Sequence, residues 1–177
     1  MGKSALVYVG LLRGVNVGGN NKMPMADLRS LLEDLGLSDV RTYIQSGNVI
    51  FTSSTTPKST TLEAAIEKRF AIKTDVVLRS ASELTVAVKN SPFSVSEEAR
   101  VHVGFMAKKV PEAIVATVDR ERFEPDRFAI VGSEVYLYLP VGIGQSKLPN
   151  YLIRQLKTPV TMRNWNTVNK LVELTAQ

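Results

Sequence analysis

The chain has 177 residues, of which 44% are hydrophobic and 22% charged. This balance is close to the globular average and excludes an intrinsically disordered protein. The absence of cysteine excludes disulfides, thiolate metal sites and cysteine nucleophiles, and it fits a reducing compartment, so we expect a cytoplasmic protein. No stretch approaches the ~20 apolar residues that span a bilayer, and we expect no membrane association.

The net charge of +5 is unevenly distributed along the chain. Residues 1–26 contain Lys3, Arg13 and Lys22 but no acid. Residues 135–172 also lack acids, and they contain Lys147, Arg154, Lys157, Arg163 and Lys170. These segments carry +3 and +5, so the rest of the chain carries −3. Such polarity can attract phosphates or nucleic acid, although solvated lysines placed by chance explain it equally well.

The first half reads as alternating strands and amphipathic helices. Apolar runs predict strands at residues 5–12, 40–44, 48–52 and 75–79. Helical spacing of apolar residues predicts a helix that begins at Pro24 and stops at Gly36, and another over residues 62–70. A Gly/Asn-rich loop follows the first strand, and Ser46-Gly47 forms a tight hairpin turn.

The second half repeats this order after a helix at residues 82–90. Strands are predicted at residues 101–105, 128–131, 135–139 and 160–162. A helix begins at Pro111, another covers residues 148–156, and a closing helix covers residues 165–172. Residue-level similarity between the halves is negligible, so the predicted repeat is one of element order.

A β-α-β-β-α-β order with short connections favours the ferredoxin-like arrangement, because right-handed crossovers exclude most alternatives. We therefore predict an α+β protein with two tandem ferredoxin-like units, a duplicated architecture with an extra C-terminal helix. The first unit and its connecting helix would cover residues 1–90. A linker would cover residues 91–99, and the second unit with the closing helix would cover residues 100–177.

This topology places polar segments together at the ends of each sheet. In the first half, the loop after strand one and the hairpin after strand two share an end. In the second half, the loop before the second helix and the end of the fourth strand share the opposite end. The candidate binding residues are Arg13, Asn16, Gly18, Gly19, Lys22, Gln45, Ser46 and Asn48 in the first cluster, and Lys147, Arg163, Asn164, Trp165 and Thr167 in the second.

These residue types are typical of anion binding. Glycine lets the backbone approach an anion, a helix N-terminus presents N–H groups, and arginine adds a bidentate fork. We predict binding of a small phosphorylated or otherwise anionic ligand. Alternatively, the glycines only serve a tight loop and Asn164 only caps the last helix. The loop lacks the P-loop spacing.

The sequence contains no evident catalytic constellation. The single histidine, His102, lies between alternating apolar residues and is interpreted as a surface strand residue rather than a general base. Ser46 has no base beside it in the sequence. We predict neither a cofactor nor a metal site, and whether the protein is an enzyme stays open, as does its oligomeric state.

Two other functions are compatible with the pattern. Residues 6–10 resemble the first strand motif of RNA-recognition domains, and Tyr8, Tyr136 and Tyr138 could stack on single-stranded nucleic acid. The third strand lacks the matching aromatic pair, which weakens this alternative. An enzyme with a site between the halves would bury Arg13, Gln45, Asn48 and Arg163 around one pocket.

The first half of the chain resembles the bacterial family called domain of unknown function 1697. The motifs that carry the resemblance are residues 12–19, Lys22, Met25, Leu28 and residues 42–51. Ser146-Lys147 and residues 161–168 resemble the closing signature of the same family. The resemblance spans essentially the whole chain and implies a duplicated ferredoxin-like architecture. It implies no established reaction and supplies no catalytic residues.

Overall fold

The computed structural model describes residues 5–177. Lys3, which contributes to the first basic segment, and the first four residues of the predicted first unit lie outside the described part. The described residues form eight strands, six α-helices and one 3₁₀ helix. They divide into two compact units, each of which is described by itself.

Unit 1 comprises the described residues up to Thr85 together with Leu171–Gln177. Its elements are β1 (Leu6–Leu12), α1 (Met25–Asp34), β2 (Ser38–Tyr43), β3 (Asn48–Ser53), α2 (Ser59–Phe70), β4 (Val76–Ser80) and the first half of α3 (Ala81–Lys89). The four strands form an antiparallel sheet in the order β2-β3-β1-β4, which is ferredoxin-like.

The core of unit 1 lies between this sheet and helices α1 and α2. Leu28 and Leu32 from α1 and Leu62 and Ile66 from α2 are each less than 4% exposed. These positions recur at helical spacing in the sequence, so each helix presents one apolar side to the sheet. The packing leaves the loops at the ends of the sheet to carry polar residues.

Unit 2 comprises Val86–Lys170. It contains the rest of α3, a 3₁₀ helix (Val95–Arg100), β5 (Val101–Met106), α4 (Glu112–Val115), β6 (Arg127–Val131), β7 (Glu134–Tyr138), α5 (Leu148–Leu156), β8 (Val160–Asn164) and most of α6 (Trp165–Thr175). The sheet order is β6-β7-β5-β8, equivalent to that of unit 1.

Two segments of unit 2 differ from the prediction. The helix after Pro111 is a single turn, because the chain turns again after Val115. Part of the predicted linker is helical. The 3₁₀ helix there begins with a capping box, in which Ser94 and Glu97 bond reciprocally and satisfy backbone N–H groups.

The predicted α+β architecture of two ferredoxin-like units is confirmed, with α6 as the closing helix. The last residues of α6 belong to unit 1, where Arg41 Nη2 donates to the carbonyl of Leu174 at 2.9 Å. The expected division into residues 1–90, a linker at residues 91–99 and residues 100–177 stays a prediction.

The units are related at the level of single residues, which the sequence comparison missed. Gly10 pairs with Val49 and Leu78, and Gly104 pairs with Val135 and Met162 at the same places in the second sheet. The residues that follow Leu78 and Met162 correspond as well. The Nη1 groups of Arg79 and Arg163 each donate, at 2.8 Å, to the carbonyl of the preceding residue. These are individual shared positions, and negligible residue-level similarity along the rest of the two halves stays a prediction.

Candidate functional site

The Gly/Asn-rich loop after β1 is braced by one side chain. Asn16 Nδ2 donates to the carbonyls of Met23 at 2.9 Å and Gln45 at 2.8 Å. Its Oδ1 accepts from the N–H of Met23 at 2.7 Å. These bonds hold the loop against the β2–β3 hairpin, at the end of the sheet where the topology places both. The side chain of Asn16 is thus engaged within unit 1.

Gly18 and Gly19 form the tip of this loop. Their φ angles are +58° and +78°, and the N–H of Asn20 donates to the carbonyl of Val17 at 3.0 Å. A two-residue type I′ turn requires positive φ at both central positions, so turn geometry accounts for both glycines. The tip and Lys22 are exposed.

The β2–β3 hairpin is held by the buried side chain of Asn48. Its Nδ2 donates to the carbonyl of Tyr43 and to Ser46 Oγ, both at 3.0 Å. Gly47 has a φ of +81°, and a Cβ there would lie 2.5 Å from Val15 Cγ2, so only glycine fits. Asn48 and Ser46 therefore shape the turn, whereas Gln45 keeps an exposed side chain.

A cleft of about 440 Å³ opens beside the Gly/Asn-rich loop that follows β1. Its walls come from the end of β1, from one side of α2 and from the segment that precedes β4. The lining residues are Arg13, Gly14, Glu63, Glu67, Lys73, Thr74 and Asp75. Only Arg13 belongs to the predicted site residues.

Arg13 is fixed at the mouth of the cleft through its backbone. Its N–H donates to the carbonyl of Asp75 at 3.0 Å and to Thr74 Oγ1 at 3.2 Å. The hydroxyl of Thr74 donates back to the carbonyl of Arg13 at 2.7 Å. The guanidinium donates from Nη1 to Asp75 Oδ2 at 3.2 Å, and both side chains remain about 40% exposed.

The carboxylates of the cleft have separate local roles. Glu63 Oε1 accepts from the N–H of Val76 at 2.9 Å and so stabilises the start of β4. Glu67 lies 3.8 Å from Lys73 Nζ, and both groups are largely in solvent. Such an exposed ion pair contributes at most about 1 kcal/mol.

The second predicted cluster lies mostly inside unit 2. Arg163 is 8% exposed, and its Nη1 donates to Thr161 Oγ1 at 2.9 Å. Burial lowers the pKa of Arg163 to about 10. Trp165 and Thr167 are each 6% exposed, and Asn164 Oδ1 accepts from the N–H of Thr167 at 2.8 Å. Asn164 therefore caps α6, as the alternative interpretation states.

The loop before α5 contacts a buried acid, just before β6, that the sequence did not single out. Ser146 Oγ donates to Asp126 Oδ2 at 2.5 Å and accepts from the N–H of Leu148 at 3.0 Å. Asp126 is 7% exposed, so this contact fixes the loop to the body of unit 2. Lys147 beside it is exposed.

Two of the three aromatic rings expected to stack on nucleic acid are not available on a surface. Tyr8 is 8% exposed and packs against Phe51 with ring centroids 6.0 Å apart. Tyr136 is fully buried, and its hydroxyl donates to the carbonyl of Ala87 at 2.6 Å. Tyr138 is half-buried, with the guanidinium of Arg127 4.5 Å from its ring centroid. The prediction of a stacking platform was wrong for Tyr8 and Tyr136, because both rings are buried.

His102 is half-buried on β5 rather than on a fully exposed surface. Burial lowers its pKa, and a hydrogen bond with the backbone of Arg100 partly opposes this effect. Among residues 5–177, no three His, Cys, Asp or Glu side chains come together to hold a metal ion. Nor does any helix in that range have the length and apolar content needed to cross a membrane.

The cleft residues that the sequence analysis did not predict could have been identified from the sequence. Glu63 and Glu67 are four residues apart and therefore share one side of α2. The predicted topology also brings the start of the fourth strand to the end of the sheet where the Gly/Asn-rich loop lies. Combining these two observations identifies Thr74, Asp75 and the acids of α2 as neighbours of Arg13.

Comparison with known proteins identifies a matching sequence family and a solved structure with a similar fold. The sequence model of the family described as protein of unknown function (DUF1697) matches residues 6–136. The match includes the motifs of the loop and the hairpin but not the closing signature after residue 146. No curated protein gives a significant sequence match.

A solved structure extends the similarity to nearly the whole chain. The conserved bacterial protein SP0830 from Streptococcus pneumoniae is 25% identical in sequence, with a TM-score of 0.74. The alignment covers 97% of this chain and 99% of that chain. The family model matches most of the sequence, and the shared architecture agrees with that match. The chain therefore belongs to the DUF1697 family of proteins of unknown function.

Proposed function

We propose that unit 1 binds a small ligand in the cleft beside the Gly/Asn-rich loop, and that Arg13 recognises an anionic group of that ligand, such as a phosphate or carboxylate. The observation that carries this proposal is the presence of Arg13 in the lining of a cleft of about 440 Å³. This volume is typical of small-molecule sites, which occupy about 300–1,000 Å³.

Arg13 has donors to spare for a ligand. A guanidinium carries five N–H groups in a planar fork, and the contact to Asp75 uses the Nη1 end. The fork matches a carboxylate or phosphate, to which it can donate two parallel hydrogen bonds. The backbone of Arg13 is already fixed by Thr74 and Asp75, so the main chain there does not have to be ordered when a ligand binds.

Gly14 makes the backbone accessible at the same place. It lines the cleft with a φ of +65°, and apart from its two chain neighbours no residue has a heavy atom within 4 Å of the position where a Cβ would stand. A ligand can therefore approach the main chain next to Arg13 without meeting a side chain. Of the other predicted residues of the first cluster, Asn16 and Asn48 support this site indirectly, because they hold the two loops.

Replacement of Arg13 tests the proposal. Thermal unfolding is measured with inorganic phosphate, a sugar phosphate and a nucleoside monophosphate, for the wild type, Arg13→Ala and Arg29→Ala. At least one probe should raise the unfolding midpoint of the wild type. Arg13→Ala should weaken its binding by roughly tenfold or more, because a charged hydrogen-bonding partner is lost.

Arg29 is a matched control because it is an exposed arginine on α1 that does not line the cleft. Its replacement should leave the ligand-induced shift unchanged. Flat midpoints with every probe, or an equal shift in Arg13→Ala, would contradict the proposed site.

A further inference from the structure

We infer that the ligand of this cleft is zwitterionic: an anionic group is held at Arg13, and an ammonium group is held by Glu63 and Glu67. This inference rests on the proposed function and adds the chemical class of the ligand. It follows from the charges of the lining residues, from the hydrogen bonds that each already makes, and from the spacing of the acids.

The cleft is not a basic pocket. Its lining contains two cations, Arg13 and Lys73, and three carboxylates, Glu63, Glu67 and Asp75, so its formal charge is negative by one. A simple anion would gain from Arg13 and lose through repulsion by the acids. A ligand that also carries a positive charge turns this repulsion into attraction.

The charges occupy different walls of the cleft. Glu63 and Glu67 both lie on α2, four residues apart and on one side of the helix. Arg13 lies at the end of β1, where Asp75 partly neutralises it. The part of the lining that α2 contributes is therefore acidic, and the end of β1 contributes Arg13 and the main chain at Gly14.

The acids of α2 have acceptor capacity left. Glu63 uses Oε1 for the N–H of Val76, which leaves Oε2 available to a ligand. Glu67 is exposed and makes only a distant contact to Lys73, itself 85% exposed, so a ligand ammonium can displace that pairing at little cost.

The charges of the cleft fit an organic ammonium. Among the described residues, no group of three or more His, Cys, Asp or Glu side chains could hold a metal ion. An ammonium needs only one or two acceptors at hydrogen-bond distance.

Matched probes separate this inference from the proposed function. Titration calorimetry compares 2-aminoethyl phosphate with ethyl phosphate, and 4-aminobutyrate with butyrate, so that each pair differs by one ammonium group. In the wild type the amino member of at least one pair should bind about fivefold tighter or more, as expected for one partly exposed ion pair. Which pair responds identifies a phosphate or a carboxylate as the anionic group.

Two variants in the acidic wall should remove this preference. Glu67→Gln and the double variant Glu63→Gln with Glu67→Gln should bring the ratio of the two affinities toward one, while Arg13→Ala weakens both members. Glu33→Gln, at an exposed acid of α1 outside the cleft, should keep the ratio of the wild type.

The possible outcomes distinguish failure of the zwitterion inference from failure of the proposed anion site. Equal binding of both members of every pair by the wild type would overturn the zwitterion inference and leave the anion site standing. An amino preference that persists in the double variant would also overturn it. Absence of binding by every probe would remove the proposed function itself.

Discussion

At the residue scale, many of the polar side chains expected to bind a ligand are engaged in local structure. Asn16, Asn48 and Asn164 each satisfy backbone groups next to a loop or a helix end. Asparagine does this readily, because its amide both donates and accepts and tolerates positive φ. Sequence alone cannot separate such an asparagine from one that contacts a ligand, since both occur in glycine-rich loops.

Replacement of Asn16 should destabilise unit 1. Asn16→Ala removes three hydrogen bonds and places alanine at a φ of +54°. We expect a loss of about 2–4 kcal/mol in the free energy of unfolding, measured by urea denaturation. Asn20→Ala, at an exposed position of the same loop, should change stability by less than about 0.5 kcal/mol. Equal effects of the two substitutions would contradict the bracing role of Asn16.

His102 should make folding stability depend on pH. Its pKa in the folded protein is lowered from 6.5 by burial, so below that pH the unfolded chain binds the proton more readily. Stability should therefore fall as the pH drops below 6.5. The difference in unfolding free energy between pH 7.5 and pH 5.5 should be smaller for His102→Gln. An identical pH dependence in wild type and variant would show that His102 does not contribute.

At the element scale, the first strand of each unit contains a glycine that lets its neighbours pack closely. A Cβ on Gly10 would lie 2.8 Å from Val49 Cγ2, and a Cβ on Gly104 would lie 2.6 Å from Val135 Cγ1. The repeated position shows that both sheets use the same solution for their central strands. Sequence comparison misses it because a single glycine in an apolar run is a weak signal.

Gly104→Ala should therefore destabilise unit 2. The new methyl would also approach Val160 Cγ1 at 2.9 Å, so β5, β7 and β8 would have to shift. We expect a loss of about 1–3 kcal/mol in unfolding free energy, as for other overpacked cores. Gly144→Ala is the matched control, since it has no neighbour within 4 Å and no positive φ. A loss no greater than that of the control would refute the packing argument.

At the scale of the whole molecule, the sequence predicts the two ferredoxin-like units, because element order and strand length are local properties with few topological solutions. The binding site is less predictable. Arg163 lies in a basic segment of the sequence, but its side chain is buried. The sequence does not predict this burial, because alternation along a strand does not show which face is covered. In the sequence, Glu63 and Glu67 resemble an ordinary solvated helix side, and only the structure shows that they line one cleft with Arg13.

The most direct test of ligand binding in the cleft of unit 1 is an amide chemical-shift titration of the full chain with 2-aminoethyl phosphate. Saturating shifts should concentrate at Gly14, Lys73, Thr74 and Asp75, which line the cleft, and residues 144–147 should stay unchanged. Saturating shifts confined to residues 144–147, or none in unit 1 at any concentration, would contradict the proposed site.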